Sequence, residues 1–304
     1  MPQADLAPIN AATRLCAVLG SPIAHSASPA MHNAAFAALG LNWRYVAFEV
    51  DPKNLRAAIA GARAMNFAGV NLTVPHKLLA VDLVDALDAS AKTWGAVNTI
   101  KFENGHAIGF NTDADALIQT IKEEFQWPEM RGAVVLLLGA GGAAKSTALR
   151  LAQEGVAKLF LVNRTESNAI QLQRETLNKF PGLPVEFISN DKIVSGYPHD
   201  PVDLVINATS LGLKPDDELP IKLEWLKTRR PKRVFDMVYR PAETALLRES
   251  KLASISTEGQ SLCRTANGIG MLVHQGAKAF EIWTGRPAPV AVMRRAVEGS
   301  VYGV

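Results

Sequence analysis

The chain has 304 residues, 48% of them hydrophobic, with 32 basic and 29 acidic side chains and a net charge of +3. At about 150 residues per domain the length predicts two domains, and the composition excludes a disordered chain. The charge balance argues against a nucleic-acid or polybasic membrane partner, and two cysteines, Cys16 and Cys263, are too few for a disulfide framework or a four-cysteine zinc site.

The predicted elements alternate between strand and helix. A strand at 14–20 precedes a helix with Ser28 as N-cap and Pro29 at its first position, which Gly40 stops. A strand at 43–50, a helix from Asp51-Pro52 to about 63, and a strand at 70–74 follow. Segments 97–102 and 106–110 form a hairpin around Glu103-Asn104-Gly105. A helical pattern at 113–125 ends at Trp127-Pro128-Glu129. The apolar run 133–138 suits a strand covered on both faces. Further strands are predicted at 158–163, 185–188, 203–207, 233–238 and 253–256, and closing helices at 268–283 and 289–298. The fold class is therefore α/β, with a doubly wound unit of roughly 150 residues in its second part. The five tryptophans read as packing residues, the six histidines lack metal-ligand spacing, and the basic stretch 227–233 reads as a solvated link. No metal is expected.

Leu138-Gly139-Ala140-Gly141-Gly142-Ala143-Ala144 follows the apolar strand and opens a helix. Gly139 permits the tight turn, Gly141 lets backbone approach a pyrophosphate, and Ala144 allows close helix packing. The second strand of this unit ends in Asn163-Arg164-Thr165. Asn163 brings no negative charge against a 2′-phosphate, and Arg164 offers a planar fork for one, so NADP is favoured over NAD; otherwise Arg164 is a solvated surface residue.

The first part gathers polar residues at strand ends: Ser26, Ser28, Asn71, Thr73, Asn98, Thr99, Asn111, Thr112. Hydroxyls and amides suit a polyhydroxylated ligand. Lys77 and Asp113 form a candidate proton-transfer pair, because oxidising an alcohol needs a group to take its proton. The alternative is a solvated lysine just after a proline.

These motifs, in this order and over nearly the whole length, resemble the shikimate dehydrogenase and quinate/shikimate dehydrogenase family. The matching runs are 20–29, 71–77, 95–99 and 109–113 in the first part, and 139–143, 163–165, 207–210, 236–239 and 268–275 in the second. The resemblance implies NADP-dependent, reversible oxidation of shikimate to 3-dehydroshikimate in aromatic amino-acid biosynthesis. It implies Lys77 and Asp113 as the catalytic pair, and Ser26, Ser28, Thr73, Asn98, Tyr239 and Gln275 as the substrate-binding set. Cofactor binding falls to Gly139, Ala140, Gly141, Gly142, Ala143, Asn163, Arg164, Thr165, Thr209, Met237, Gly268 and Met271. The implied organisation is a substrate domain at 1–112 completed by 266–304, a Rossmann NADP-binding domain at 113–265, and a cleft between them.

Two positions depart from the pattern. His76 stands where an aromatic precedes the lysine, and Phe110 where a polar residue precedes Asn-Thr-Asp; both leave quinate open as a substrate. The alternatives are a quinate/shikimate dehydrogenase with NAD or mixed cofactor use and a non-catalytic NADP-binding regulator, which would be expected to lose Lys77 or Asp113. A methylenetetrahydrofolate dehydrogenase would need a pterin-site motif run, and none is present. The expected partner is a small-molecule substrate, with no nucleic acid and no membrane, and the expected assembly is a monomer or homodimer. The opening MPQADLAPIN lacks the features of a signal peptide, and no apolar run approaches the roughly 20 residues that span a bilayer, so a cytoplasmic setting is expected.

Overall fold

The computed structural model describes residues 8–256 and 258–303. The first seven residues, part of the opening read for leader features, lie outside the described residues. The chain forms two compact units. One runs up to Ala116 and resumes at Leu272; the other is Leu117–Met271.

The first unit contains β1 (Arg14–Gly20), α1 (Ser28–Ala38), β2 (Trp43–Glu49), α2 (Leu55–Ala64) and β3 (Gly69–Leu72). Then come α3 (His76–Leu79), β4 (Ala86–Leu87), α4 (Ala89–Trp94), β5 (Thr99–Glu103), β6 (His106–Phe110) and the start of α5 (Asp113–Glu124). The sheet order is β2-β1-β3-β5-β6-β4. β1 pairs in parallel with β2 and β3, whereas β5 is antiparallel to both β3 and β6. The hairpin turn has positive φ at Asn104 (51°) and Gly105 (75°), the pair of angles a two-residue turn needs to match strand twist. On one face Ala17, Leu19, Val70, Leu72 and Ile100 pack with Leu55 and Ile59 of α2.

Three sequence expectations change here. Ser28 is not the N-cap: Ala27 occupies that position without a side-chain capping bond, and Ser28 is the first helical residue. The third strand stops at Leu72, and Thr73 to Pro75 turn the chain. The stretches around α3, β4 and α4 carry structure the sequence did not announce, because two to six residues are too few to display a period.

The second unit contains β7 (Val134–Leu138), α6 (Gly142–Gln153), β8 (Lys158–Val162), α7 (Glu166–Lys179), β9 (Val185–Phe187) and α8 (Asn190–Val194). β10 (Leu204–Asn207), α9 (Leu223–Arg229), β11 (Arg233–Asp236), α10 (Ala245–Ala253) and β12 (Arg264–Asn267) follow. All six strands are parallel, in the order β12-β11-β10-β7-β8-β9. The unbroken apolar run of β7 is explained by two cores. Val135 and Leu137 join Leu159, Leu161 and Ile206 on one face; Leu136 and Leu138 join Phe160, Val162 and Val205 on the other. The strand expected at 253–256 is absent; Ile255 makes one isolated bridge to Ser261. The sixth strand is β12, whose Arg-Thr-Ala-Asn sequence has no apolar pattern because it lies at the sheet edge. The basic stretch begins inside α9 rather than in a link.

Helices α11 (Ile269–Thr284) and α12 (Val290–Tyr302) close the chain. From Leu272 onward they belong to the first unit. Gly276 lets α11 come close to α1, since a β-carbon there would make the Met31 side chain shift. Trp283 Nε1 donates to Ile100 O at 3.0 Å, and α12 packs on α1. Trp43, Trp94, Trp225 and Trp283 are buried, and Trp127 packs half-buried against the core.

Candidate active site

In the first unit the polar residues meet at one end of the sheet. β3 ends at Leu72 before Thr73, and antiparallel β5 begins at that same end, just after Asn98. β6 ends at Phe110, which delivers Asn111, Thr112 and Asp113. Asn111 Oδ1 accepts from the amides of Asp113 and Ala114 at 3.2 and 3.3 Å and so caps the start of α5. Asp113 is thereby set in the first turn, facing α3. Lys77 Nζ donates to Asp113 Oδ2 at 2.8 Å, with the carboxylate nearly buried and the ammonium one-third exposed. The backbone of Lys77 is tied as well, its carbonyl accepting from Val97 N at 2.8 Å.

Around this pair runs a buried chain of amides and hydroxyls. Asn98 Nδ2 donates to Thr112 Oγ1 at 2.9 Å, and Asn98 Oδ1 accepts from Thr112 N at 2.8 Å. Thr112 Oγ1 donates to the Gln275 carbonyl at 3.1 Å, which ties α11 to this end of the sheet. Gln275 Nε2 donates to Leu272 O. Ser28 is buried, and Ser26 Oγ accepts weakly from its amide at 3.4 Å. Thr73 is half-buried, its amide donating to Leu19 O. Six of the expected substrate-unit residues other than Gln275 (Ser26, Ser28, Thr73, Lys77, Asn98, Asp113) thus sit on loops or first turns around one sheet end. Tyr239 belongs to the second unit, beyond β11.

Two histidines are buried. His32 is fully buried with neither ring nitrogen hydrogen-bonded, and burial pushes it down to about 3. His76 is buried too; burial lowers its pKa, partly offset by the Val50 carbonyl and the Asp51 carboxylate. Sequence reasoning missed Tyr45, a fully buried tyrosine of β2 whose hydroxyl reaches the polar chain. Only the rule that a buried phenol needs a hydrogen-bond partner could have pointed to it.

In the second unit the expected cofactor residues also share one edge. Gly139 follows β7, Asn163 follows β8, Thr209 follows β10, Met237 follows β11 and Gly268 follows β12. In a parallel sheet these are all carboxyl ends, where ligands of such folds bind. Met271 stands on the first turn of α11. Gly139 has φ +110°, and a β-carbon would meet the Ala208 carbonyl at 3.1 Å, so the turn admits only glycine. Gly141, Gly142 and Ala143 are exposed, no side chain caps α6, and the space beside both glycines is open. Such a cradle fits a pyrophosphate. Asn163 Nδ2 donates to Thr165 O at 2.8 Å, leaving Arg164 exposed at the strand tip.

Asp236 holds the two neighbouring loops. It accepts from Asn207 Nδ2 at 2.9 Å, Thr244 Oγ1 at 2.6 Å and Val238 N at 3.0 Å, while burial raises its pKa. Asn207 Oδ1 in turn accepts from both the amide and the hydroxyl of Thr209. Among the described residues no cluster of three metal-ligating side chains occurs, and no helix is long and apolar enough to cross a membrane.

A six-stranded parallel sheet with a glycine turn at an uncapped helix start, joined in one chain to a lysine–carboxylate pair, defines a dinucleotide-dependent oxidoreductase. Family descriptions match in the same order. "Shikimate dehydrogenase substrate binding domain" matches residues 18–100, "Shikimate / quinate 5-dehydrogenase" residues 119–210, and "Shikimate 5'-dehydrogenase C-terminal domain" residues 268–298. The shikimate dehydrogenase (NADP(+)) of Methanopyrus kandleri is 40% identical over 95% of this chain and 96% of its own. A crystal structure of a shikimate dehydrogenase in complex with NADP+ matches with a TM-score of 0.85 and 39% identity, covering 97% of this chain and 98% of its own. That of Thermus thermophilus, in complex with NADP(H) and shikimate, matches with a TM-score of 0.79 and 33% identity over 94% and 99%. The chain belongs to the shikimate dehydrogenase family.

Proposed function

We propose that this protein is an NADP-dependent shikimate dehydrogenase, interconverting shikimate and 3-dehydroshikimate. The observation that carries the reading is the 2.8 Å contact of Lys77 with Asp113, set among amides and hydroxyls at one sheet end. Bound NADP supplies the hydride acceptor, or as NADPH the donor. The chain's own residues handle the proton. As the alcohol is oxidised, its hydroxyl proton passes to the Lys77–Asp113 pair; in the reverse direction the pair returns it to the carbonyl oxygen. Asp113 fixes where the Lys77 nitrogen stands, and Lys77 stabilises the negative charge that develops on oxygen. Ser26, Ser28, Thr73, Asn98, Tyr239 and Gln275 hold the substrate carboxylate and hydroxyls.

The glycine turn from Gly139 to Ala143 would hold the pyrophosphate, and Asn163, Arg164 and Thr165 the adenosine end. Thr209, Met237, Gly268 and Met271 complete the cofactor set. In this reading 1–112, completed by 266–304, form the substrate domain and 113–265 the NADP domain. These limits fall a few residues from the compact units because the chain crosses between units inside α5 and α11. Shikimate is a small molecule; the protein works in the cytoplasm as a monomer or homodimer.

Purified protein given shikimate or quinate, each with NADP or NAD, tests this directly. Reduced cofactor should accumulate fastest with shikimate and NADP. No turnover with that pair would sink the proposal, and turnover only with quinate and NAD would replace the substrate and cofactor assignment.

A further inference from the structure

Tyr45 lies beneath the substrate-binding groups without belonging to their motifs. Asn33 fixes its backbone on both sides: Asn33 Nδ2 donates to Tyr45 O, and Tyr45 N donates to Asn33 Oδ1, each at 2.9 Å. Its ring stacks on His32, with centroids 4.2 Å apart and planes 11° apart, and Trp283 lies 6.1 Å away. A phenol held this way has little freedom in where it aims its hydroxyl. That hydroxyl donates to Asn71 Oδ1 at 2.7 Å.

Donor accounting fixes the direction of the chain that follows. Asn71 Nδ2 spends its two N–H groups on the Asn98 carbonyl at 3.2 Å and on Thr99 Oγ1 at 2.9 Å. A carbonyl only accepts, so Asn71 turns its nitrogen to Asn98 and its oxygen to Tyr45. Thr99, having accepted from Asn71, gives its own proton to Asn98 Oδ1 at 3.1 Å. Asn98 Oδ1 thus has two donors, Thr99 Oγ1 and the Thr112 amide at 2.8 Å, which hold its oxygen inward. One N–H of its nitrogen goes to Thr112 Oγ1, and the other is left for a ligand. The Asn98 carbonyl, which also accepts from Leu72 N at 2.8 Å, keeps the Asn71 nitrogen turned toward it, and the phenol holds the Asn71 oxygen from the other side. Without the phenol hydroxyl the buried Asn71 oxygen loses that donor, and the Asn71–Thr99–Asn98 links loosen.

We infer that Tyr45 is a positioning residue for the proposed reaction: through Asn71 and Thr99 it adds to the hold of the Thr112 amide on the Asn98 oxygen, so that Asn98 stands as a hydrogen-bond donor toward an acceptor oxygen of the substrate.

This inference rests on the shikimate reading, and the test separates the two. In Tyr45→Phe the stacking remains and only the hydroxyl is lost. The KM for shikimate should rise about tenfold, the scale of one hydrogen bond to a neutral group. The kcat should change less than threefold, and NADP binding not at all. In an Asn98→Ala background, Tyr45→Phe should add nothing to KM; a merely structural role would add the same factor in both backgrounds. If Tyr45→Phe does not fold, Asn71→Leu carries the same pair of measurements. An unchanged KM, or equal factors in both backgrounds, overturns the inference alone. A wild-type protein that does not turn over shikimate overturns it together with the reading beneath it.

Discussion

The two units build their sites from opposite materials. The first uses side chains: a lysine, an aspartate, and amides and hydroxyls that are buried yet hydrogen-bonded to one another. The second uses backbone: exposed Gly141 and Gly142 leave room for a ligand, and the uncapped start of α6 offers its amides. Sheet chemistry follows suit. The all-parallel sheet of the second unit needs apolar strands on both faces and keeps its polarity at the strand ends. The mixed sheet of the first admits Asn71 and Thr99 as register partners of β3 and β5. Chemistry that moves a proton needs side-chain atoms at fixed points, whereas holding a pyrophosphate needs donors and space.

Substitutions should separate the two materials. The largest expected effect is Lys77→Ala. Turnover of shikimate should fall by roughly 10²–10⁴, the range for a positioned acid or base, while NADP affinity, measured by fluorescence titration, stays within twofold. Full activity would remove Lys77 from the reaction. Next, Arg164→Ala should weaken NADP by about 1.5–3 kcal/mol, the range for a hydrogen bond to a charged group, and NAD by much less. Equal weakening of both would show that Arg164 does not read the phosphate.

A smaller effect concerns stability and belongs to the first unit. His32 ionises near 6.5 when exposed but near 3 in place. The unfolded chain therefore binds its proton first as the pH falls. Stability is fully present above pH 6.5 and is lost progressively down toward pH 3. At pH 5 the loss from this group is on the order of 2 kcal/mol. His32→Phe should flatten the decline in unfolding free energy between pH 7 and 5; an unchanged slope would mean that His32 is not forced to stay neutral.

Much of this was legible in the sequence. The glycine turn was read from a strand, a Gly-x-Gly spacing and a helix start, each a local signal. Lys77 and Asp113 were named from motifs, but no spacing in the sequence could bring residues 36 positions apart to 2.8 Å. The edge strand β12 escaped because its Arg-Thr-Ala-Asn run is defined by pairing with β11, not by hydrophobicity. Serine before proline is a common helix start, so the sequence points to Ser28 as the cap, and nothing local says that Ala27 takes the role. Tyr45 and His32 were invisible for a related reason: each reads as an ordinary residue of an amphipathic element, and its meaning comes from neighbours distant in sequence.

The central claim is that Lys77 and Asp113 act as one unit on the substrate proton. The most direct test is the kcat for shikimate oxidation in Lys77→Ala, Asp113→Asn and the double variant, with NADP saturating. Groups that act together lose their effect together, so the double variant should be no slower than the slower single variant, within about threefold. Losses that multiply, with the double variant slower by the product of the two single factors, would show independent roles and contradict the account.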